Sequence, residues 1–338
     1  NDKYLIVEYF LFISSVTIFS SLIIMIIIKK IENYDFLAFF KCIKLSNKYF
    51  LLTKKLALSS LFLTVSWIIF YELDVIFIGK LFGPKEIALY AIGFTFLNFL
   101  RSLWQAVFSP FSQRFNHFTN SDSAHKLKKL ASNLTEHTLP LCIVVTVVLI
   151  LATKYIVVFW VGEEYLESIK LMQILILGTG FSFVIQPAMF YFTSQTKYYY
   201  LNLLAIALPT TFLIIALIFV PRIGIIGFAI GKTASMLMTF LISLYGISKL
   251  INSYKIFRNW SLQLLIFGFI SCYVFPQIFS IFFIELHKST LNLFLCMMII
   301  TFFIFLSLIM IYGSKKYYRQ IAFLFLNKIV NNKNKIKP

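Results

Sequence analysis

Charged residues are scarce in this sequence. Asp, Glu, Lys and Arg together form 13% of its 338 residues, whereas soluble domains carry roughly 25%. So few charges cannot cover the surface of a globule of this size in water. Hydrophobic residues form 60% of the chain, and Phe alone occurs 40 times. The composition therefore excludes an ordinary soluble domain and predicts a protein whose solvent is lipid.

Cysteine is also rare, and its spacing excludes two kinds of structure. The four cysteines, Cys42, Cys142, Cys272 and Cys296, form no CxxC pair and no cluster with histidine. Neither a disulfide framework nor a zinc site is indicated. We interpret the cysteines as small hydrophobic side chains.

Motifs of enzymes and nucleotide-binding proteins are missing as well. The sequence has no GxSxG, no HExxH and no paired carboxylates in a polar context. Gly231, Lys232 and Thr233 resemble the end of a phosphate-binding loop. That loop also requires a glycine five positions earlier, where this chain has Ile226, and it follows a strand rather than lying in an apolar run. We therefore expect no enzyme activity, no cofactor and no metal.

What the sequence has instead is long apolar runs. A bilayer core about 30 Å thick needs roughly 20 apolar residues per helix, and nine runs meet this requirement, which predicts an all-α polytopic membrane protein. Glycine and proline predict tight turns at Gly83–Pro84 and Pro221–Gly224. Gly227 and Gly231, four residues apart, indicate a close helix–helix contact. The predicted spans are approximately residues 7–28, 57–82, 87–109, 138–160, 169–192, 199–220, 224–247, 261–283 and 291–312.

Basic residues in the connections predict the orientation. The net charge is +18, and 22 Lys and Arg residues lie in alternate connections and the C-terminal tail, against seven in the opposite connections. The positive-inside rule places the first set, and with it the C-terminus, on the cytoplasmic side. This rule accounts for the basic charge, so no nucleic-acid partner is expected. We expect the basic loops 29–56 and 110–137 to lie on anionic headgroups and the segment 317–330 to form an interfacial helix.

Ionisable residues inside the apolar spans are candidates for function, because a charge at the bilayer centre costs about 2.5–3.5 kcal/mol on insertion scales. Arg101 shares a helix face with Asn98 and Gln105, which lie three and four residues away. A polar stripe with a cation in its middle predicts the wall of a water-filled cavity. The alternative is a structural ion pair between Arg101 and a carboxylate on a neighbouring helix.

Further candidates lie on other spans. Asp74 is a candidate cavity residue or, alternatively, an anchor for helix packing. Lys232 and Ser235 share one stripe, and the alternative for Lys232 is an ammonium group that reaches the outer interface. Gln186 precedes Pro187, which kinks its helix and frees a carbonyl, as in the broken helices of transporter sites. A cavity lined by Arg101 and Lys232 would carry positive charge and would therefore suit an anionic substrate.

Four segments resemble a known family. They are DVIFIGKLFG at residues 74–83, ALYA at 88–91, WVGEEY at 160–165 and IGIIGFA at 223–229. The first two are similar to the hairpin of the seventh and eighth helices in polysaccharide flippases, and the other two to later loops of the same proteins. These are the O-antigen and lipid-linked oligosaccharide flippases of the multidrug/oligosaccharidyl-lipid/polysaccharide (MOP) exporter superfamily.

The resemblance implies a fold of two six-helix lobes around a central cavity, often with two additional helices. The chain begins at Asn1 rather than Met, and its first span runs from outside to inside as the sixth helix of that fold does. We therefore expect an N-terminally truncated piece that holds helices six to fourteen. Its implied parts are the last helix of the N-terminal lobe (1–30), a basic cytoplasmic loop (31–56), the C-terminal six-helix lobe (57–247), two additional helices (248–312) and a basic cytoplasmic tail (313–338).

The function that the resemblance implies is the flipping of a polyprenyl-pyrophosphate-linked oligosaccharide, such as an O-antigen or capsule repeat unit, across the bacterial cytoplasmic membrane. The implied partners are this glycan lipid, membrane lipids, and the polymerase and chain-length machinery of the same pathway. A drug or metabolite antiporter of the same superfamily is the alternative, and it would have a smaller and more apolar or acidic pocket. A membrane-embedded glycan polymerase or transferase would need a sizeable outside loop, and the predicted outside loops are short.

The charge asymmetry makes a testable prediction about topology. In a cysteine-free background, a cysteine at position 85 should react with a membrane-impermeant thiol reagent added from outside, because it lies in a connection with few basic residues. Cysteines at positions 126 and 335 should react only after the membrane has been permeabilised, because the reagent must reach the cytoplasmic side. The reverse labelling pattern would contradict the orientation.

Overall fold

The described part of the chain consists mostly of long helices. The computed structural model describes residues 2–32, 47–120, 124–283 and 288–315, and these ranges contain no strand. In lipid every backbone N–H and C=O needs a partner within the chain, and a helix supplies these partners internally. The helices are α1 (Asp2–Glu32), α2 (Asn47–Leu81), α3 (Pro84–Asn120), α4 (Ala124–Trp160), α5 (Ser168–Leu177), α6 (Ser182–Ser194), α7 (Tyr198–Ile223), α8 (Ile226–Ile247), α9 (Ser253–Phe282) and α10 (Thr290–Gly313), with short 3-10 helices at Glu163–Tyr165 and Gly178–Phe181.

Nine helical segments in the described ranges are long and apolar enough to cross a membrane, which confirms the number predicted from the apolar runs. Each is a single helix except the fifth, Ser168–Ser194, which consists of α5, the second 3-10 helix and α6. The protein is therefore an all-α, multi-pass membrane protein.

Contacts divide the chain into two units, Asn1–Lys55 and Leu56–Pro338. In the first unit, every described side chain of α1 from Val7 to Ile31 is exposed. Its hydroxyl groups bond back to carbonyl groups of the preceding turn, as Ser15 Oγ does to Leu11 O at 2.7 Å. A hydroxyl satisfied in this way can lie on an apolar helix without an unpaired donor.

In the second unit, α4 is the central helix. Helices α5, α6, α9 and α10 pack against it, while α3 packs against α5 and α6. The larger hydrophobic cluster surrounds α4. A smaller cluster joins α2, α3, α5, α7 and α8, and Phe70, Tyr90 and Phe212 are among its fully buried members. Helix α2 has few close backbone approaches to the other helices, so its side chains provide most of its attachment.

Helices α7 and α8 form the most closely packed hairpin. A methyl group added at Gly227 would lie 2.6 Å from the backbone nitrogen of Val220. One added at Gly231 would lie 3.1 Å from the carbonyl oxygen of Phe212. The predicted small-residue contact is confirmed, since only hydrogen at these positions permits the two backbones to come so close.

The second predicted turn lies slightly later than the sequence indicates. Pro221 remains in the last turn of α7, and the chain reverses at Gly224 and Ile225. Gly224 adopts a φ of 62°, a left-handed conformation that favours glycine. The first predicted turn is correct, because Gly83, with a φ of 93°, separates α2 from α3.

Two predicted loops contain helix where the structure describes them. Helix α2 begins at Asn47, inside the predicted loop 31–56, and the remainder of that loop, 33–46, lies outside the described residues. Helices α3 and α4 occupy the predicted loop 110–137 except for residues 121–123, which are not described. Each of the two helices has 37 residues, or about 55 Å at 1.5 Å per residue. An apolar run indicates the part of a helix that crosses the membrane. The helix itself extends beyond that part for as long as its backbone hydrogen bonds continue. The predicted interfacial helix at 317–330 lies outside the described residues.

The α7–α8 contact predicts different effects of the same substitution at two helical glycines. Gly227→Ala should lower the unfolding temperature in detergent, because its methyl group overlaps the backbone of α7, and overpacking typically costs about 1–3 kcal/mol. Gly268→Ala is the control, since nothing lies within 4 Å of an added methyl group there. This control should be neutral or slightly stabilising, because alanine is the better helix former. Equal unfolding temperatures for the two variants would contradict the packing account.

Candidate substrate cavity

A fully buried ion pair joins α2 to α8. Lys232 Nζ lies 2.9 Å from Asp74 Oδ2, and both side chains are 0–1% exposed. The hydroxyl of Tyr90 on α3 donates a hydrogen bond to the same carboxylate oxygen. Because an isolated charge is costly inside a membrane, each of these two residues makes the burial of the other possible.

Aromatic rings surround the ammonium group of Lys232. Its Nζ lies 4.2 Å from the ring centroid of Phe94, 5.0 Å from Phe70, 5.3 Å from Tyr71 and 5.8 Å from Phe212. Ring faces carry partial negative charge and attract cations. These rings therefore provide electrostatic stabilisation on the sides that the carboxylate leaves open.

Arg101 on α3 also packs against Tyr71. Its Cζ is 4.3 Å from the ring centroid of Tyr71, and the side chain is half-buried. Among the residues that the structure describes, no carboxylate lies within ion-pair distance of Arg101. Asp74 is already paired with Lys232. The guanidinium group of Arg101 therefore has N–H donors that remain available to bind another group.

Arg101 lines a cavity of about 490 Å³ between α2, α3, α6, α7 and α8. The wall combines aromatic rings with hydroxyl and amide groups, and none of the described residues that line it is Asp or Glu. Its polar residues other than Arg101 are Ser112, Asn116, Thr179, Ser182, Gln186, Thr193 and Thr239, and its aromatic residues are Trp67, Phe70, Tyr71, Trp104 and Phe190.

One side of the cavity is formed where a spanning helix is broken. Helix α5 ends at Leu177, a 3-10 turn follows, and α6 begins at Ser182. Gly178 in this turn packs so closely on α8 that an added methyl group would lie 2.6 Å from Met236 Sδ. Thr233 Oγ1 donates a 2.6 Å hydrogen bond to the carbonyl of Ile174, which supplies a partner for a carbonyl next to the break.

The break does not lie at the proline that predicted it. Pro187 is inside α6, with the 3-10 turn before it. Gly178 and Gly180 mark the break in the sequence, and this signal was not used. Gly180 packs on Thr146, so the absence of side chains lets the turn approach both α4 and α8.

The structure separates the predicted site residues into two groups. Arg101 and Gln186 line the cavity. Asp74, Lys232 and Ser235 are fully buried and do not line it. Lys232 pairs with Asp74 instead of reaching the interface, and Ser235 Oγ donates to the carbonyl of its own helix, at residue 231, over 2.8 Å.

The polar stripe of α3 is rotated relative to the face that lines the cavity. Asn98 is half-buried and Gln105 exposed, and neither lines the cavity. The cavity face of α3 follows i, i+4 and i+7 spacing from Leu97 through Arg101 to Trp104. The spacing of polar residues does not indicate Trp104, because its side chain is aromatic and lies outside the polar stripe. The feature of the sequence that could indicate this cavity residue is a tryptophan one position before Gln105.

A second cavity, of about 800 Å³, lies between α9 and α10. Apart from Gln263 and three serines, its lining residues are apolar. None of its described lining residues is charged, so it is a poorer site for a polar ligand than the Arg101 cavity. In the described part of the chain, no three His, Cys, Asp or Glu residues are grouped in a way that could hold a metal ion.

Comparisons with known proteins identify the fold. No protein-family model matches the chain, and a comparison with curated proteins gives no match. Among solved structures, the chain is similar to the lipid II flippase MurJ in its inward closed conformation, with a TM-score of 0.57 and 15% sequence identity. The match covers 74% of this chain and 52% of that chain, so this chain spans about half the length of that structure. The prediction of an all-α, polytopic fold is confirmed, and that fold is similar to the fold of MurJ.

Proposed function

We propose that this chain belongs to a flippase that moves a polyprenyl-pyrophosphate-linked oligosaccharide, such as an O-antigen or capsule repeat unit, across the bacterial cytoplasmic membrane. The observation that carries the proposal is the guanidinium group of Arg101. It lies on the wall of a polar and aromatic cavity within a bundle of spanning helices, and no carboxylate pairs with it among the described residues. The similarity in fold to a lipid II flippase supports the same class of substrate, a lipid-linked precursor.

The chemistry of the cavity fits a polar headgroup with an anionic group. A guanidinium group has five donors and no acceptor, and it binds phosphate oxygens in bidentate fashion. Gln186 and the serine and threonine hydroxyls of the wall can exchange hydrogen bonds with sugar hydroxyls. The lipid tail would remain in the bilayer while the headgroup crosses through the cavity. Alternating access of the two lobes would supply the movement, as in other transporters built from repeats.

The remaining predicted residues receive different roles in this proposal. Asp74 and Lys232 hold α2 against α8, and Ser235 lies packed beside them on α8. The C-terminus is proposed to face the cytoplasm, and the protein is proposed to act as a transporter rather than an enzyme. An antiporter for drugs or metabolites is the alternative, but a wall with the Arg101 guanidinium group and, among its described residues, no carboxylate would disfavour cationic drugs.

The proposal predicts that Arg101 is required for translocation. In the intact gene product, expressed in a strain that lacks its own flippase, Arg101→Ala should reduce surface display of the glycan by about tenfold or more. The reason is that a hydrogen bond to a charged group contributes about 1.5–3 kcal/mol. Arg101→Lys should keep partial activity, because it keeps the charge and loses the bidentate geometry.

Arg114→Ala is the matched control for this experiment. Arg114 is an exposed arginine on the same helix and does not line the cavity, so its removal should leave glycan display near the wild-type level. The amount of protein in the membrane is measured for every variant. Full display with Arg101→Ala would contradict the proposed function, and so would a loss of the Arg101→Ala protein from the membrane, because it would show a structural role for Arg101.

A further inference from the structure

Glu72 places a carboxylate on the exposed side of α2, inside the membrane. It lies nine residues before the end of the span Thr53–Leu81, which is about 14 Å at 1.5 Å per residue. Glu72 is therefore close to the middle of a bilayer core about 30 Å thick. Its side chain is exposed, and no described Lys, Arg or His lies within ion-pair distance of it. A carboxylate at this depth is costly against lipid, and such residues almost always face protein or water.

The side of α2 that carries Glu72 is not the side that packs on the bundle. Glu72 and Asp74 are two positions apart, so they are about 200° apart around the helix. Asp74 is the residue that meets Lys232 on α8. Glu72 is also not among the residues that line the cavity beside Arg101. Glu72 therefore belongs neither to the buried ion pair nor to the cavity wall.

The neighbours of Glu72 on this side of α2 are apolar and have the spacing of a helix contact. Large apolar side chains that are 45–57% exposed lie one to three turns from it, namely Leu61, Val65, Ile68 and Ile76. We call these four residues and Glu72 the Glu72 face. Its members recur every three or four positions, as residues do in the seam between two packed membrane helices. Lipid covers the apolar members as well as a helix does, but it offers no partner for the carboxylate.

The described part of a second copy of this chain does not supply the basic residue that complements Glu72. Near the middle of the spans, its basic residues are Arg101 and Lys232. Lys232 is fully buried against its own carboxylate partner, and Arg101 lies in the cavity wall. Lys154 is exposed but lies only six residues before the end of its helix, from where a lysine side chain reaches the interface. The charges therefore favour a helix of a different protein.

We propose that the Glu72 face binds a membrane-spanning helix of a second protein, and that this helix places a lysine or an arginine at the depth of Glu72. The two charges pair away from water, where their attraction is stronger than at the membrane surface. Apolar side chains of the partner helix pack on the remaining members of the face. Because lipid tails are as apolar as leucine, apolar packing alone would not select this partner. The ion pair therefore gives the contact its specificity.

Cysteine crosslinking in phosphatidylcholine vesicles tests the contact. The protein carries a single cysteine, Ile76→Cys, one turn from Glu72. The probe is a synthetic leucine-rich helix with a lysine at its centre and a cysteine one turn away. This helix should crosslink at least about tenfold more than a helix with leucine in place of the lysine, because polar groups drive the association of helices in lipid. Protein that keeps only Cys272, which is exposed on α9, is the matched control and should crosslink weakly and equally with both helices.

Charge variants at position 72 separate the ion pair from the packing. Glu72→Gln keeps the shape of the side chain and removes its charge, so the preference for the lysine helix should disappear. Glu164→Gln, at an exposed carboxylate outside the spans, should leave the preference unchanged. Glu72→Lys should reverse it, in favour of a helix with a central glutamate. Equal crosslinking of the lysine and leucine helices, or a preference that survives Glu72→Gln, would overturn the proposal.

Two further measurements identify a different neighbour of the Glu72 face. Efficient crosslinking of two Ile76→Cys molecules without an added helix would show that a second copy occupies it. Rapid reaction of Glu72→Cys with a membrane-impermeant thiol reagent would show that it borders water. We expect neither result, and either one would overturn the proposal. Crosslinking does not require transport of a glycan, so its failure would leave the proposed function unaffected.

Discussion

The ion pair between Asp74 and Lys232 is the interaction on which the rest of this structure depends. It places two opposite charges in a bundle interior that could hold neither of them alone. It also attaches α2, a helix with few close backbone approaches to its neighbours, to α8. Tyr90 extends the connection to α3 by donating to the same carboxylate oxygen. The first consequence is mechanical, since three helices meet at a single carboxylate.

The second consequence concerns the charge of the cavity. Because Lys232 neutralises Asp74, that carboxylate is not available to Arg101. The ring of Tyr71 contacts both cations, with its centroid 5.3 Å from Lys232 Nζ and 4.3 Å from Arg101 Cζ. One cation is therefore enclosed by its partner and by aromatic rings, while the other remains on the cavity wall. The break between α5 and α6 completes this wall with a turn that brings Thr179 and Ser182 to the cavity.

The sequence predicted the features that depend on lipid and on local geometry. Nine apolar runs gave the nine spans of the described ranges, and Gly227 with Gly231 gave the close α7–α8 contact. It could not predict which charges would meet, because helical periodicity assigns a residue to a face but does not identify the neighbour of that face. Asp74 and Lys232 are far apart in the sequence, and their pairing is a property of the packed bundle. The same limit explains why Trp104, rather than Gln105, lines the cavity beside Arg101.

A double-mutant cycle on the ion pair tests this account most directly. Removing one partner of a buried pair typically costs about 3–5 kcal/mol, whereas replacing both by apolar residues of similar volume is often tolerated. The account predicts that Lys232→Met and Asp74→Leu each lower the unfolding temperature in detergent strongly, and that the double variant is more stable than either single variant. Lys80→Met, at an exposed lysine of α2, is the control and should have little effect. Additive losses in the double variant, or single variants as stable as this control, would contradict the account.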